Sequence, residues 1–66
     1  MRITKDKEER RQELIGVAEQ LFRAQGYMDT SVSDIVRKTG VAQGTFYYHF
    51  KSKEEILEAV VHKTAN

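Results

Sequence analysis

Apolar residues recur along this chain at helical spacing and stop at a small number of recognisable breaks. Leu14, Ala18, Leu21 and Phe22 stand at i, i+4, i+7 and i+8, and Ile15 and Val17 widen the stripe. That is the signature of an amphipathic helix. It predicts a helix from about Lys7 to Gln25, followed by Gly26, which in a left-handed C′ conformation would end it. Gly16 sits inside the segment at a cost of about 1 kcal/mol relative to Ala. Close packing is one reason for a glycine there, and the sequence alone does not decide.

Ser31-Val32-Ser33-Asp34 reads as a capping box, in which Ser31 accepts from the Asp34 amide and the Asp34 carboxylate reaches back. The short helix it starts points Val32, Ile35 and Val36 inward, carries Arg37 and Lys38 near its C-terminal dipole, and is broken by Gly40. A third short helix is predicted from near Gln43 to Phe50, where Lys51 and Ser52 interrupt it. Ser52-Lys53-Glu54-Glu55 is a second capping box with Lys53 at the first helical position, and Ile56, Leu57, Val60 and Val61 form the stripe beyond it. Thr39-Gly40-Val41-Ala42 therefore joins two short helices through a glycine turn, the outline of a helix-turn-helix. With no proline, no alternation and no hairpin signals, the expectation is all-α. The predicted fold is a small helical bundle with a helix-turn-helix, followed by the start of a fourth helix. Leu21, Phe22, Ile35, Val41, Phe46, Phe50 and Leu57 are its expected core.

The stretch QGTFYYHF, residues 43–50, holds more aromatics than one buried face can take. At about 100° per residue, with Phe46 at zero, Phe50 falls at about 40° and the inward direction at about 20°. Tyr48 then lies at about 200°, opposite the core, with Gly44 and Thr45 beside it and Tyr47 and His49 on the flanks. The cluster cannot all be core.

Size and composition narrow the uses of that outward face. A chain of 66 residues is one small domain. It has no cysteine, which removes disulfides and thiolate metal sites. No apolar run approaches the length of a membrane span, and the charged start MRITKDKEERRQ is not a secretory signal. A cytoplasmic protein, with no membrane association, is the expectation. The formal net charge is only +1, but residues 35–53 contain Arg37, Lys38, Lys51 and Lys53 and no Asp or Glu. That local cationic stretch suits a polyanionic partner.

Against double-stranded DNA the outward face has a consistent use, because a major groove about 12 Å wide admits one helix. Gly44 lets the backbone approach a base edge, and Gln43 in the first turn can pair with adenine N7 and N6. Thr45 offers a hydroxyl to phosphate or a methyl to thymine, and Tyr47 and Tyr48 reach phosphates or thymine methyls. His49 can donate to phosphate even when neutral. Lys53 opposes the helix dipole at its position, a conflict that a phosphate would cancel. Ser31 and Ser33, near the start of the second helix, are further phosphate-positioning candidates, and Arg10 and Arg11 are candidate contacts from an N-terminal arm.

Each residue has a plainer reading. The tyrosines can fill gaps against the first helix, His49 can be an idle surface histidine, Thr45 can serve packing, Gly44 can be mere tolerance, and Lys53 can be solvated. The N-terminal cations can belong to a frayed arm, since acids are interspersed among them. A protein-binding module using the tyrosine face as an aromatic hot spot is the rival function, but it leaves the acid-free stretch unexplained. Catalysis would need His49 to act beside Tyr47 or Ser52 without paired carboxylates or an evident cleft, so no enzyme is expected. His62 is thirteen residues from His49 with no other His or Cys to complete a metal site, and no cofactor is expected.

The run TSVSDIVRKTGVAQGTFYYHFKSKEEIL closely resembles the DNA-binding region of the TetR family of bacterial transcriptional regulators, and AEQLFRAQGY extends the likeness toward residue 10. Three helices, both glycines between them and the block GTFYYHFKSKEE agree in order and spacing. The resemblance implies that the third helix enters the major groove, with Ser33, Gln43, Gly44, Thr45, Tyr47, Tyr48, His49 and Lys53 at the family's usual contact positions. It further implies a bacterial protein that associates with the nucleoid when bound to DNA. Family members bind pseudo-palindromic operators as homodimers, most as repressors. A larger C-terminal helical domain dimerises and binds a small-molecule inducer, whose binding releases DNA. Residues 1–66 would then be the reading head alone, with that C-terminal domain missing from this chain. Two smaller departures stand out: Ala42 occupies an N-cap where the family often has Ser, and Val36 stands where Ala is common.

Overall fold

A computed structural model describes residues 6–65. It contains four helices: α1 (Lys7–Gln25), α2 (Val32–Thr39), α3 (Gln43–His49) and α4 (Lys53–Ala65). No strand occurs among the described residues. The all-α bundle expected from periodicity is the one observed, and α2, a short turn and α3 make the helix-turn-helix.

The helix ends show why these segments stop and start where they do. The Asp6 carboxylate accepts from the Glu9 amide at 2.8 Å, and the Glu9 carboxylate accepts from the Asp6 amide at 3.3 Å. This capping box starts α1 and escapes the sequence reading, although Asp-x-x-Glu is its signal. At α2 the predicted box forms: the Asp34 amide donates to Ser31 Oγ and the Ser31 amide donates to the Asp34 carboxylate, both at 3.0 Å. Those bonds, the backbone amide of Ser31 first, hold the Asp34 carboxyl below its ordinary pKa. Gly40 takes the left-handed conformation (φ 85°, ψ 27°), and the Gly40 and Val41 amides both donate to the Val36 carbonyl. Most Cβ-bearing residues adopt that backbone only with strain, Asn being the usual exception.

Two expectations about caps need correction. Gly26 has a positive φ of 94° but a ψ of 149°, so it is not a left-handed helical C′ residue. The buried Thr30 hydroxyl donates to the Gly26 carbonyl at 2.7 Å, which fixes the direction of that carbonyl and with it ψ. The box at α4 is only half formed. The Glu55 amide donates to Ser52 Oγ at 3.2 Å, but the Glu55 carboxylate accepts from the Lys51 amide at 2.6 Å instead of the Ser52 amide. The bend at residues 51–52 presents the earlier amide to it.

α1 packs against both α2 and α4, and α3 packs against α2. The core is Leu14, Ile15 and Ala18 from α1, Ile35 and Val36 from α2, Phe46 and Phe50 around α3, and Ile56 and Val60 from α4. Of the expected core, Leu21, Phe22 and Val41 sit at its edge, partly buried. Leu57 is also only half-buried, because the inward face of α4 runs through Ile56 and Val60, four residues apart. Val60 is thus buried while Val61 is 55% exposed. Gly16 has an answer as well: a Cβ there would meet nothing within 4 Å, so close helix packing does not require glycine. Across the bundle, Lys63 donates to the Glu19 carboxylate at 2.6 Å and ties the far end of α4 to α1. Lys63 first, then Arg23, keeps the Glu19 carboxyl below its ordinary pKa.

α3 depends on this core more than any other element. It has seven residues, and its N-cap, Ala42, makes no side-chain cap bond. An isolated helix of that length is unstable in water. Phe46→Ala should therefore lower the unfolding free energy by about 3–5 kcal/mol, a large part of a small domain's stability, whereas exposed Tyr48→Ala should change it by about 0.5 kcal/mol. Urea denaturation followed by circular dichroism distinguishes the two. Ala42→Ser, which supplies the missing cap, should raise the midpoint by an amount equivalent to about 1 kcal/mol.

Candidate nucleic-acid interface

Anchoring decides what α3 shows to solvent. Phe46 is 0% and Phe50 2% exposed, with ring centroids 5.7 Å apart, so both rings point into the core. On the opposite side Tyr48 is 63% exposed and Tyr47 51%. Tyr47 lies edge-on to Phe46 at 5.2 Å, which limits the directions its hydroxyl can reach. Gln43 and Gly44 are exposed, while Thr45 and His49 are half-buried at the flanks. A Cβ on Gly44 would meet nothing within 4 Å, so nothing inside the domain requires a glycine there. A surface that must let another molecule come close is a reason that remains.

The other candidates are not all equally free. Ser31 and Ser33 are exposed at the start of α2, with Ser31 Oγ already accepting the Asp34 amide and its own proton still available to donate. Lys53 is half-buried: its ammonium donates to the Tyr27 carbonyl at 2.9 Å and stands 4.2 Å over the Tyr27 ring. The conflict with the α4 dipole is thus partly relieved within the chain, and an ammonium keeps two further protons for an anion. Arg10 and Arg11 are not in a free arm but in α1, because the Asp6 cap starts that helix before them. Arg10 pairs with Glu13 at 2.7 Å, and the Arg11 guanidinium lies 5.2 Å over Phe50. The cations Arg2 and Lys5 at the start of the chain fall outside the described residues.

Three residues near this face are missed by sequence reasoning. Thr30 is 1% exposed and orders the turn from α1 into α2. Tyr27 seats Lys53; its hydroxyl is buried without a well-formed hydrogen bond, and burial, then the nearby Glu54 carboxylate, raises its pKa. Lys7 holds its ammonium 5.5 Å from the Tyr48 ring. The Lys53–Tyr27 and Lys7–Tyr48 contacts join residues far apart in the chain, and no local pattern encodes them.

Electrostatics add a further feature. Burial lowers the His49 pKa, and the neighbouring Arg11 and Lys7 charges lower it further, so the imidazole is neutral at physiological pH and presents one N–H donor. An open cleft of ≈ 500 Å³ between α1 and α4 is lined by Arg11, His49, Glu55, Glu58 and Lys63 among others. Among the described residues no group of three or more His, Cys, Asp or Glu side chains could hold a metal ion. Nor is any described helix long and apolar enough to cross a membrane.

Known proteins are similar to this chain in sequence. Residues 14–60 fit the sequence profile of the bacterial regulatory proteins of the tetR family. The HTH-type transcriptional regulator SrpR of Pseudomonas putida is 46% identical over 54 residues, which cover 82% of this chain and 25% of that protein. The uncharacterized HTH-type transcriptional regulator TtgW, also of Pseudomonas putida, is 45% identical over 53 residues, 80% of this chain and 40% of TtgW. The HTH-type transcriptional repressor KstR2 of Mycolicibacterium smegmatis is 42% identical over 52 residues, 79% of this chain and 25% of that repressor. The chain thus spans between a quarter and two-fifths of the length of these relatives.

The buried Tyr27 hydroxyl makes a sharp test of how Lys53 is held. Tyr27→Phe keeps the ring and the carbonyl, and should leave stability unchanged or raise it by about 1 kcal/mol, since no well-formed bond is lost and a buried polar group is removed. Tyr27→Ala should instead lower it by about 3–5 kcal/mol. Thermal denaturation of the two variants side by side checks both.

Proposed function

The chain belongs to the TetR family of bacterial regulatory proteins, and on that premise we propose that it reads an operator in double-stranded DNA as the head of a longer transcriptional regulator. It is a DNA-binding regulatory domain and not an enzyme. In the proposed complex α3 lies in the major groove. Gln43, Gly44, Thr45, Tyr47 and Tyr48 meet base edges and groove walls, and Ser31, Ser33, Thr45, Tyr47, His49 and Lys53 position the backbone phosphates.

The observation that carries this reading is the two-sidedness of α3. Phe46 and Phe50 are sealed in the core while Tyr48, Tyr47 and Gly44 lie exposed. A seven-residue helix presenting a glycine and two tyrosines to solvent, beside residues 35–53 with no acid, is suited to close approach by a polyanion. KstR2 of M. smegmatis is a transcriptional repressor, which favours repression here. The full reading is a homodimer on a pseudo-palindromic operator, its two heads in successive major grooves about 34–36 Å apart. Residues 1–66 are the head. Dimerisation and release by a small-molecule inducer belong, in this reading, to a C-terminal domain outside residues 1–66.

Titrating a labelled duplex should give weak binding by this single head, with a log–log salt slope of about −0.9 for each phosphate contacted. Tyr48→Ala should lower affinity and alter sequence preference. Lys53→Ala should lower affinity across sequences and flatten the slope by about 0.9. Unchanged binding in both variants would exclude this docking face.

A further inference from the structure

The first helix carries cations in two different situations. Arg10, Arg23 and Lys63 on α1 and α4 are neutralised, by Glu13 at 2.7 Å and by Glu19 at 3.1 and 2.6 Å. Among the described residues, Lys7 and Arg11 form no ion pair with a carboxylate; both stand over rings at the end of α3 instead. The Lys7 ammonium is 5.5 Å from the Tyr48 ring, and the Arg11 guanidinium is 5.2 Å from the Phe50 ring. Four residues apart, they share one face of α1. His49 completes the group, its ring 4.9 Å from Tyr48 and 6.3 Å from Phe50. Two cations from α1 therefore stand over the rings on either side of His49, whose own imidazole is the third nitrogen donor.

We propose that Lys7, Arg11 and His49 form a phosphate-binding site where α1 meets the end of α3, so that DNA is gripped by the first helix as well as by the helix-turn-helix. This rests on the DNA-binding reading above and extends the docking surface to an element outside the reading unit. Lys7 lies in the first turn of α1, where the helix dipole disfavours a cation, although Tyr48 offsets this by favouring the ammonium and raising its pKa. A phosphate oxygen gives both Lys7 and Arg11 the anionic partner they lack within the described residues. The seat also adjoins Tyr48, the most exposed aromatic of the outward face, so one duplex can reach both.

The surrounding charges are mixed, and the Glu8, Glu55 and Glu58 carboxylates oppose an anion while Lys7 and Arg11 attract it. On α1, Glu8 accepts from the Gln12 side chain at 2.8 Å, and Arg10 is paired with Glu13. Across the cleft on α4, Glu55, Glu58, His62 and Lys63 face Arg11 and His49; Glu55 is taken up by the Lys51 amide and Lys63 by Glu19. His49 titrates below its ordinary pKa in the free protein because of burial, Arg11 and Lys7, with Glu8 opposing. A phosphate beside it favours the imidazolium, so binding takes up a proton and tightens as pH falls.

The test uses a fluorescein-labelled duplex of mixed sequence, titrated by anisotropy across a salt series. Lys7→Gln and Arg11→Gln should each weaken binding several-fold and reduce the log–log salt slope by about 0.9. Arg11→Lys should keep the slope, which separates charge from packing on Phe50, and Arg23→Gln should keep it because that cation lies outside the site. Affinity should rise as pH falls from about 7.5 to 6, and His49→Gln should abolish that rise. Slopes unchanged in Lys7→Gln and Arg11→Gln, or a pH response that survives His49→Gln, would overturn the site while leaving the DNA-binding reading intact. Failure of the unsubstituted chain to bind the duplex at low salt would instead remove that reading itself.

Discussion

A helix of two turns cannot hold its own shape in water, because the few hydrogen bonds it closes do not match the entropy of fixing its backbone. What makes α3 a defined surface is the burial of Phe46 and Phe50 on one side of it. Each ring contributes roughly 1.5–3 kcal/mol by leaving water. Their directions also fix the rotation of the helix about its axis, and with it the position of every outward side chain. The missing cap at Ala42 makes the dependence stronger, since nothing at the N-terminus of α3 supports it independently.

Those rings close a core to which α1 and α2 both contribute. Leu14, Ile15 and Ala18 form the buried stripe of α1, and α2 and α4 pack on either side of it. The polar ties then settle the ends: Thr30 orders the turn into α2, Gly40 the turn into α3, and Lys53 over Tyr27 the entry to α4. Individually these are modest. Together they fix how each helix enters from the turn before it.

Much of this was readable from residue order because it is local. The Ser31–Asp34 box, the Gly40 turn and the Phe46–Phe50 spacing each lie within one or two helical turns, and short-range stereochemistry decides them. The exposure of Tyr48 followed from the same spacing. Expectation and structure part where a competing bond or neighbour, sometimes itself local, decides the outcome. Gly26 lost its left-handed conformation to a bond from Thr30, Arg10 and Arg11 were drawn out of a supposed arm by the Asp6 cap, and Leu57 yielded its core place to Ile56. Lys53 shows the limit most plainly: its partner is 26 residues away, and no pattern near residue 53 announces Tyr27.

That lysine has a thermodynamic consequence of its own. A free lysine gives up on the order of 1.5–2 kcal/mol of rotamer entropy when it is immobilised. Seated on a ring and a carbonyl, Lys53 has surrendered most of that freedom during folding. An anion arriving there meets a preorganised ammonium, so less disorder remains to be lost on contact and more of the attraction survives as affinity.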